Sequence, residues 1–260
     1  MAKAVDAALI AFAAELADAA GAIVRPYFRT TLAVTDKADE SPVTIADQQA
    51  EAALRLLIEA RFPEHGIIGE EHGTVRGDAE LVWVLDPIDG TKSFISGMPL
   101  FGTLIALTER GVPILGIIDQ PISGERWIGA HGRQSTLNGA PIKTRACGDL
   151  AMATLFATSP DMFTGADAEG FDRLKRKVKL ARYGGDCYAY GLLAAGFIDL
   201  VVEAGLKPYD FCALVPVIEG AGGRMTDWEG EPLRIGSGSR VVAAGDPALS
   251  GAARAVLLGA

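Results

Sequence analysis

Leu81-Val82-Trp83-Val84-Leu85-Asp86-Pro87-Ile88-Asp89-Gly90-Thr91 is the stretch from which the fold is best read. Its apolar residues predict a strand that delivers Asp86 at its end. Pro87 has no N–H for a ladder and is expected to stop the strand from simply continuing. Asp89 follows, and Gly90-Thr91 opens a turn or helix that offers backbone N–H groups and a hydroxyl to phosphate oxygens. Two carboxylates so close repel one another unless a cation neutralises them. Hard divalent ions take oxygen ligands, and Mg²⁺ leaves room for waters and a substrate phosphate. A plainer account also fits these residues: Asp86 begins a turn and Asp89 caps a helix.

Further acids stand at the ends of neighbouring elements. Ile67-Ile68-Gly69-Glu70-Glu71 closes a short apolar strand on two acids, and Lys207-Pro208-Tyr209-Asp210 puts one at a helix start. The repeat of Val5, Leu9, Phe12, Leu16, Ile23 and Tyr27 predicts an amphipathic helix. Thr44, with Asp47 three residues on, predicts a second helix running to about Phe62. Strands are expected at 66–69, 81–85, 101–107, 112–118 and 126–130. After about Leu150, strands at 153–157, 178–181, 198–203 and 241–244 alternate with helices at 168–177, 186–195, 209–220 and 247–258. The reading is an α/β protein of two packed parts. Residues 1–150 form an antiparallel α+β half carrying most of the acids; residues 151–260 form an α/β half carrying Asp210.

Composition narrows the function. With 49% hydrophobic and 22% charged residues, the chain suits a globular enzyme with a sizeable core. A net charge of −9 argues against nucleic acid as a partner. Cys147, Cys187 and Cys212 have no paired spacing, which indicates neither a disulfide framework nor a zinc site and suits a reducing cytoplasm. None of them opens a Gly-rich loop ending in Arg, as a cysteine phosphatase would require. The start of the chain does not read as a signal peptide, and no apolar stretch is expected to span a bilayer, so a cytoplasmic protein without a membrane partner is predicted. His65, His72 and His131 lack metal spacing and read as surface residues; Trp83 and Trp127 read as packing residues.

Gly69-Glu70-Glu71, Asp86-Pro87-Ile88-Asp89-Gly90-Thr91 and Lys207-Pro208-Tyr209-Asp210, followed by Ala221-Gly222-Gly223, resemble the signature segments of the inositol monophosphatase family. The resemblance covers essentially the whole chain. It implies a layered αβαβα sandwich, usually a homodimer, that hydrolyses phosphate monoesters with two or three Mg²⁺ ions. One ion would be held by Glu70, Asp86 and the Ile88 carbonyl, a second by Asp86, Asp89 and Asp210, and a weaker third near Glu70. Gly90 and Thr91 would contact phosphate, and Thr91 with Asp47 would position the attacking water, so that Glu70, Thr91 and Asp47 form the catalytic set. Such a metal pair clamps phosphoryl oxygens and activates water without a covalent phosphoenzyme. Asp47 reads equally as a helix-capping partner of Thr44. Lys37 reads as a local counter-charge or as an exposed lysine.

The expected substrate is a small phosphorylated metabolite. The segments 96–107, 116–121 and 125–127, with Arg182-Tyr183-Gly184-Gly185-Asp186, resemble the histidinol-phosphatase branch of the family. In inositol monophosphatases the corresponding segment is typically Gly-Ser/Thr-Ala and faces the substrate alcohol; here Asp186 takes the place of the small residue. A carboxylate suits a protonated amine better than a neutral polyol, and Glu203 matches a substrate-hydroxyl ligand. Asp186 could instead cap the helix it begins. The implied substrate site comprises Asp89, Gly90, Thr91, Arg182, Gly185, Asp186, Glu203 and Asp210, and the implied reaction is dephosphorylation of L-histidinol phosphate in histidine biosynthesis. Alternatives are a myo-inositol monophosphatase, a broader sugar- or nucleotide-phosphate hydrolase, and a regulatory protein on the same scaffold. The presence of all four acids favours an enzyme.

Overall fold

Along the strand that opens at Leu81, Trp83 and Leu85 pack to one side and Val82 and Val84 to the other, and all four are buried. A strand apolar on both faces must lie between two layers. The computed structural model describes residues 4–31, 34–36 and 42–259. Lys37 falls outside the described residues.

The first part of the chain runs α1 (Ala7–Val24), β1 (Val34–Asp36), β2 (Pro42–Thr44), α2 (Ile45–Arg61), β3 (Gly66–Gly69), β4 (Gly73–Val75), β5 (Leu81–Asp89) and α3 (Thr91–Ile95). It continues through β6 (Gly102–Glu109), β7 (Val112–Gln120), β8 (Glu125–Ala130), β9 (Thr136–Leu137) and β10 (Ala140–Pro141). The second part has β11 (Thr154–Ala157), α4 (Gly165–Lys175), β12 (Leu180–Tyr183), α5 (Asp186–Ala194), β13 (Leu200–Glu203) and α6 (Pro208–Phe211). It ends with α7 (Leu214–Gly220), β14 (Arg224–Thr226), β15 (Val241–Ala244) and α8 (Pro247–Leu258).

Helices α1 and α2 cover one face of an eight-stranded sheet ordered β10-β9-β8-β7-β6-β5-β3-β4. Phe12, Leu16, Leu54 and Ile58 meet Trp83, Leu85, Ile105 and Ile117 there. Helices α5 and α7 fill the space between the other face and a five-stranded sheet ordered β12-β11-β13-β15-β14. Helices α4 and α8 cover the far face of that second sheet. The alternation continues in β13, where Val201 packs inward and Leu200 and Val202 outward. The architecture is an αβαβα sandwich.

Several expectations change in detail. The first sheet is not wholly antiparallel, because β3 runs parallel to β5. Strand β5 does not stop at Pro87 but continues to Asp89, through a register shift against β6 between Asp86 and Asp89. Its other neighbour, β3, ends opposite Leu85, so the missing N–H of Pro87 falls where the strand is paired on one side only. The helix expected at 209–220 is two helices, α6 and α7. Pro216 has no N–H to give and its ring crowds the carbonyl four residues earlier, at Cys212, where they part. His65 is not a surface residue: it is buried, stacked on Phe62, and accepts the Trp83 indole N–H at 3.1 Å. The segment Ala7–Tyr27 is, contrary to expectation, long and apolar enough to cross a membrane by length and composition. Its Phe12, Leu16, Ala20 and Val24 side chains are nevertheless buried in the protein.

Candidate active site

The bulge in β5 places the first two acids. In a regular strand, residues three apart face opposite sides. Here Asp86 pairs with Leu104 and Asp89 with Gly102, so three steps on β5 match two on β6. The extra residue brings both carboxylates to one side. Thr103 Oγ1 donates to the Pro87 carbonyl at 2.7 Å, and the Ile88 N–H donates to Asp86 Oδ1 at 3.0 Å, which fixes the bend. Gly90 then takes a φ of 87° and caps α3, whose first residue, Thr91, donates its hydroxyl to the Ile88 carbonyl at 3.2 Å.

Asp47 and Asp210 arrive by another route, shared between them. Each is the third residue of its helix and accepts the N–H of the residue before that helix: Thr44 to Asp47 Oδ2 at 2.9 Å, Lys207 to Asp210 Oδ2 at 2.6 Å. Thr44 Oγ1 also donates to Asp47 Oδ2, while the buried Asp47 Oδ1 has no hydrogen-bond partner among the described residues. The capping and catalytic readings of Asp47 are therefore compatible, one oxygen for each.

Asp86, Asp89 and Asp210 bring ligand oxygens within 4.8 Å of one another. Glu70, at the end of β3, stands at the wall of the same cavity of about 310 Å³, with Asp89, Gly90, Thr91, Asp186, Glu203 and Asp210. Burial, then the charges of Glu70, Asp89 and Asp210, pushes Asp86 well above the ordinary carboxylate range. Asp89 is pushed up by burial and then by Asp186 and Asp210. Asp210 rises to about 7, mainly through burial. Acids so placed are held apart from their preferred ionised state, and the buried Asp47 Oδ1 awaits a donor. The set fits a hard divalent cation with bound water.

The second half of the chain supplies further residues to the same cavity, among them Asp186, Cys187, Tyr190 and Glu203. The carboxylate of Asp186 makes no capping bond to α5, so the capping alternative does not hold; it accepts Ser93 Oγ at 2.5 Å and lies against Gly90. The next residue, Cys187, donates its N–H to Asp89 Oδ2 at 2.7 Å, joining the two halves at the cluster. Burial pushes the Cys187 thiol well up, so it is no nucleophile. Glu203 accepts from the Thr158 N–H (2.9 Å), the Thr158 hydroxyl (2.6 Å) and the Tyr190 hydroxyl (2.9 Å). Gly185, just ahead of α5, and Arg182 do not line the cavity. Arg182 is exposed on the edge strand β12, its guanidinium 5.8 Å from the Phe156 ring centre. Thr158 and Tyr190, which orient Glu203, carried no signal in the sequence beyond ordinary strand and helix positions.

A five-layer αβαβα chain with a close-set carboxylate cluster beside a loop that can hold phosphate defines a class of cation-dependent phosphatases. The inositol monophosphatase family model matches residues 6–257, and the chain belongs to that family. It is 56% identical over 240 residues to bifunctional phosphatase IMPL2, chloroplastic, of Arabidopsis thaliana, a match covering 89% of this chain and 69% of that protein. A histidinol-phosphatase of Chlorobaculum parvum is 37% identical over 220 residues, covering 84% of this chain and 85% of its own. An inositol monophosphatase structure from Zymomonas mobilis superposes with a TM-score of 0.89 at 51% identity, covering 95% of this chain and 96% of that one. The family is generally Mg²⁺-dependent and acts on small phosphorylated substrates, which makes this chain a phosphoric monoester hydrolase.

Proposed function

We propose that this phosphatase hydrolyses L-histidinol phosphate to L-histidinol and phosphate, in the cytoplasm and as a homodimer. The observation that carries the reading is a second pair of acids: Asp186 and Glu203 line the same cavity as Asp89 and Asp210. A cavity with these two further acids is poorly matched to a neutral polyol and well matched to the cationic amine of histidinol. The similarity to a relative named histidinol-phosphatase supports the same substrate.

In this reading Glu70, Asp86 and the Ile88 carbonyl would hold one Mg²⁺, Asp86, Asp89 and Asp210 would hold a second, and a third would bind more weakly near Glu70. Bound there, the ions supply charge neutralisation for the phosphoryl group and a lowered pKa for water. The residues of the chain do the rest. The backbone N–H groups at the start of α3 orient the phosphoryl oxygens, joined by the Thr91 hydroxyl when it turns from the Ile88 carbonyl to the bound phosphate. Asp47 Oδ1 accepts a proton from the attacking water, since Oδ2 is already held by Thr44. Burial raises Asp47 above its ordinary value, which suits a carboxylate to that exchange. Asp186 and Glu203 orient the leaving alcohol by its amine.

Phosphate release in Mg²⁺ from L-histidinol phosphate, myo-inositol 1-phosphate and adenosine 3′,5′-bisphosphate tests the reading, with Asp89→Asn as control. A strong preference for histidinol phosphate, lost in the control, is expected. Preference for inositol phosphate would keep the hydrolase and overturn the substrate.

A further inference from the structure

Glu51 is wholly buried on α2, one helical turn beyond Asp47. An ionised carboxylate taken out of water needs partners, and Glu51 finds them in the turn between β3 and β4 that carries Glu70. It accepts the Glu71 N–H at 2.7 Å, the His72 N–H at 3.1 Å and Arg55 Nε at 2.7 Å. Arg55 in turn donates to the Gly73 carbonyl, and the His72 ring lies 3.0 Å from the Gln48 carbonyl. Gly69 sits so close that a Cβ there would stand 2.0 Å from Glu51 Oε1. Residues 47, 51 and 55 fall four apart, on one face of the helix. One stripe of α2 therefore carries Asp47 and grips the residues on both sides of Glu70. Without the carboxylate, two turn N–H groups lose their acceptor and Arg55 its counter-charge.

We propose that Glu51, braced by Arg55, is a positioning residue that holds Glu70 in register with Asp86 for cation binding. The proposal rests on reading the acid cluster as a Mg²⁺ site, and not on which phosphate ester is cleaved. Isothermal titration calorimetry with Mg²⁺ alone, without substrate, tests it. Glu51→Gln keeps the size of the side chain and loses its charge. Its Mg²⁺ affinity is expected to fall about 10-fold, as is usual when a residue that orients metal ligands is changed, while KM for the ester at saturating Mg²⁺ is unchanged. Ile58→Val, on the same helix but within the apolar core, is the stability control: it should lower the thermal midpoint and leave Mg²⁺ affinity alone. Arg55→Lys is expected to weaken Mg²⁺ in the same direction and decides the matter if Glu51→Gln does not fold. Wild-type Mg²⁺ affinity in the folded variants, or a fall matched by Ile58→Val, overturns the proposal. A wild-type protein that binds no Mg²⁺ overturns the metal reading instead.

Discussion

Asp186 has a φ of 43°, in the left-handed region that ordinary side chains avoid. That conformation turns its carboxylate from its own helix towards Ser93 and the back of Gly90, where a Cβ would lie 2.8 Å from Asp186 Cγ. The strained residue thus serves the phosphate loop and faces the cavity at once. Asp186→Asn keeps the shape and removes the charge. KM for L-histidinol phosphate is expected to rise about 10-fold, the worth of one charge-assisted hydrogen bond, with myo-inositol 1-phosphate unaffected. Steady-state kinetics on both esters decide it, since equal losses would confine Asp186 to supporting Ser93. At this scale the clustering of Asp86, Asp89 and Asp210 was legible, from carboxylates at strand and helix ends and from segments that resemble the family's signatures. Ser93 and Glu51 were not, because their work is done with partners distant in sequence: Ser93 with Asp186, Glu51 with Glu71. Arg182 was misplaced by its neighbourhood in sequence; strand alternation puts it on the exposed side with Leu180.

Among the elements, those with caps were readable to within a residue or two: α2 starts at the Thr44 cap and α8 at Pro247. Strand β5 was harder, because the rule that proline ends a strand fails at a bulge whose other side is unpaired. Helix α1 is ambiguous on composition alone, since a membrane span and a core helix share length and apolarity. Packing separates them. Leu16 is fully buried and belongs to the cluster that includes Trp83 and Ile117. Leu16→Ala should therefore lower unfolding stability by about 3 kcal/mol, through lost burial and the cavity left behind. Urea unfolding measures this, and a change below about 0.5 kcal/mol, the range of a surface substitution, would mean that the buried face of α1 contributes little to the core.

For the whole molecule, the cavity draws like charges from both parts: Glu70 and Asp89 from one, with Asp86 buried beside Asp89, and Asp186, Glu203 and Asp210 from the other. Burial is the largest cause of the raised values, bringing Asp210 and Glu203 to about 7, and neighbouring acids add to it. Since unfolding returns these groups to ordinary carboxylate values near 4, the folded, metal-free protein binds more protons than the unfolded chain between about pH 4 and 7. Its stability must fall as pH rises through that window. A cation binds the ionised acids, so its stabilisation grows as they lose their protons. The thermal midpoint without metal is thus expected to drop between about pH 4 and 7, and the increment added by saturating Mg²⁺ to widen over the same range. Thermal scans across pH with EDTA and with Mg²⁺ provide the comparison. An increment that did not widen would place the ion away from these acids, because no other arrangement ties its binding to their titration.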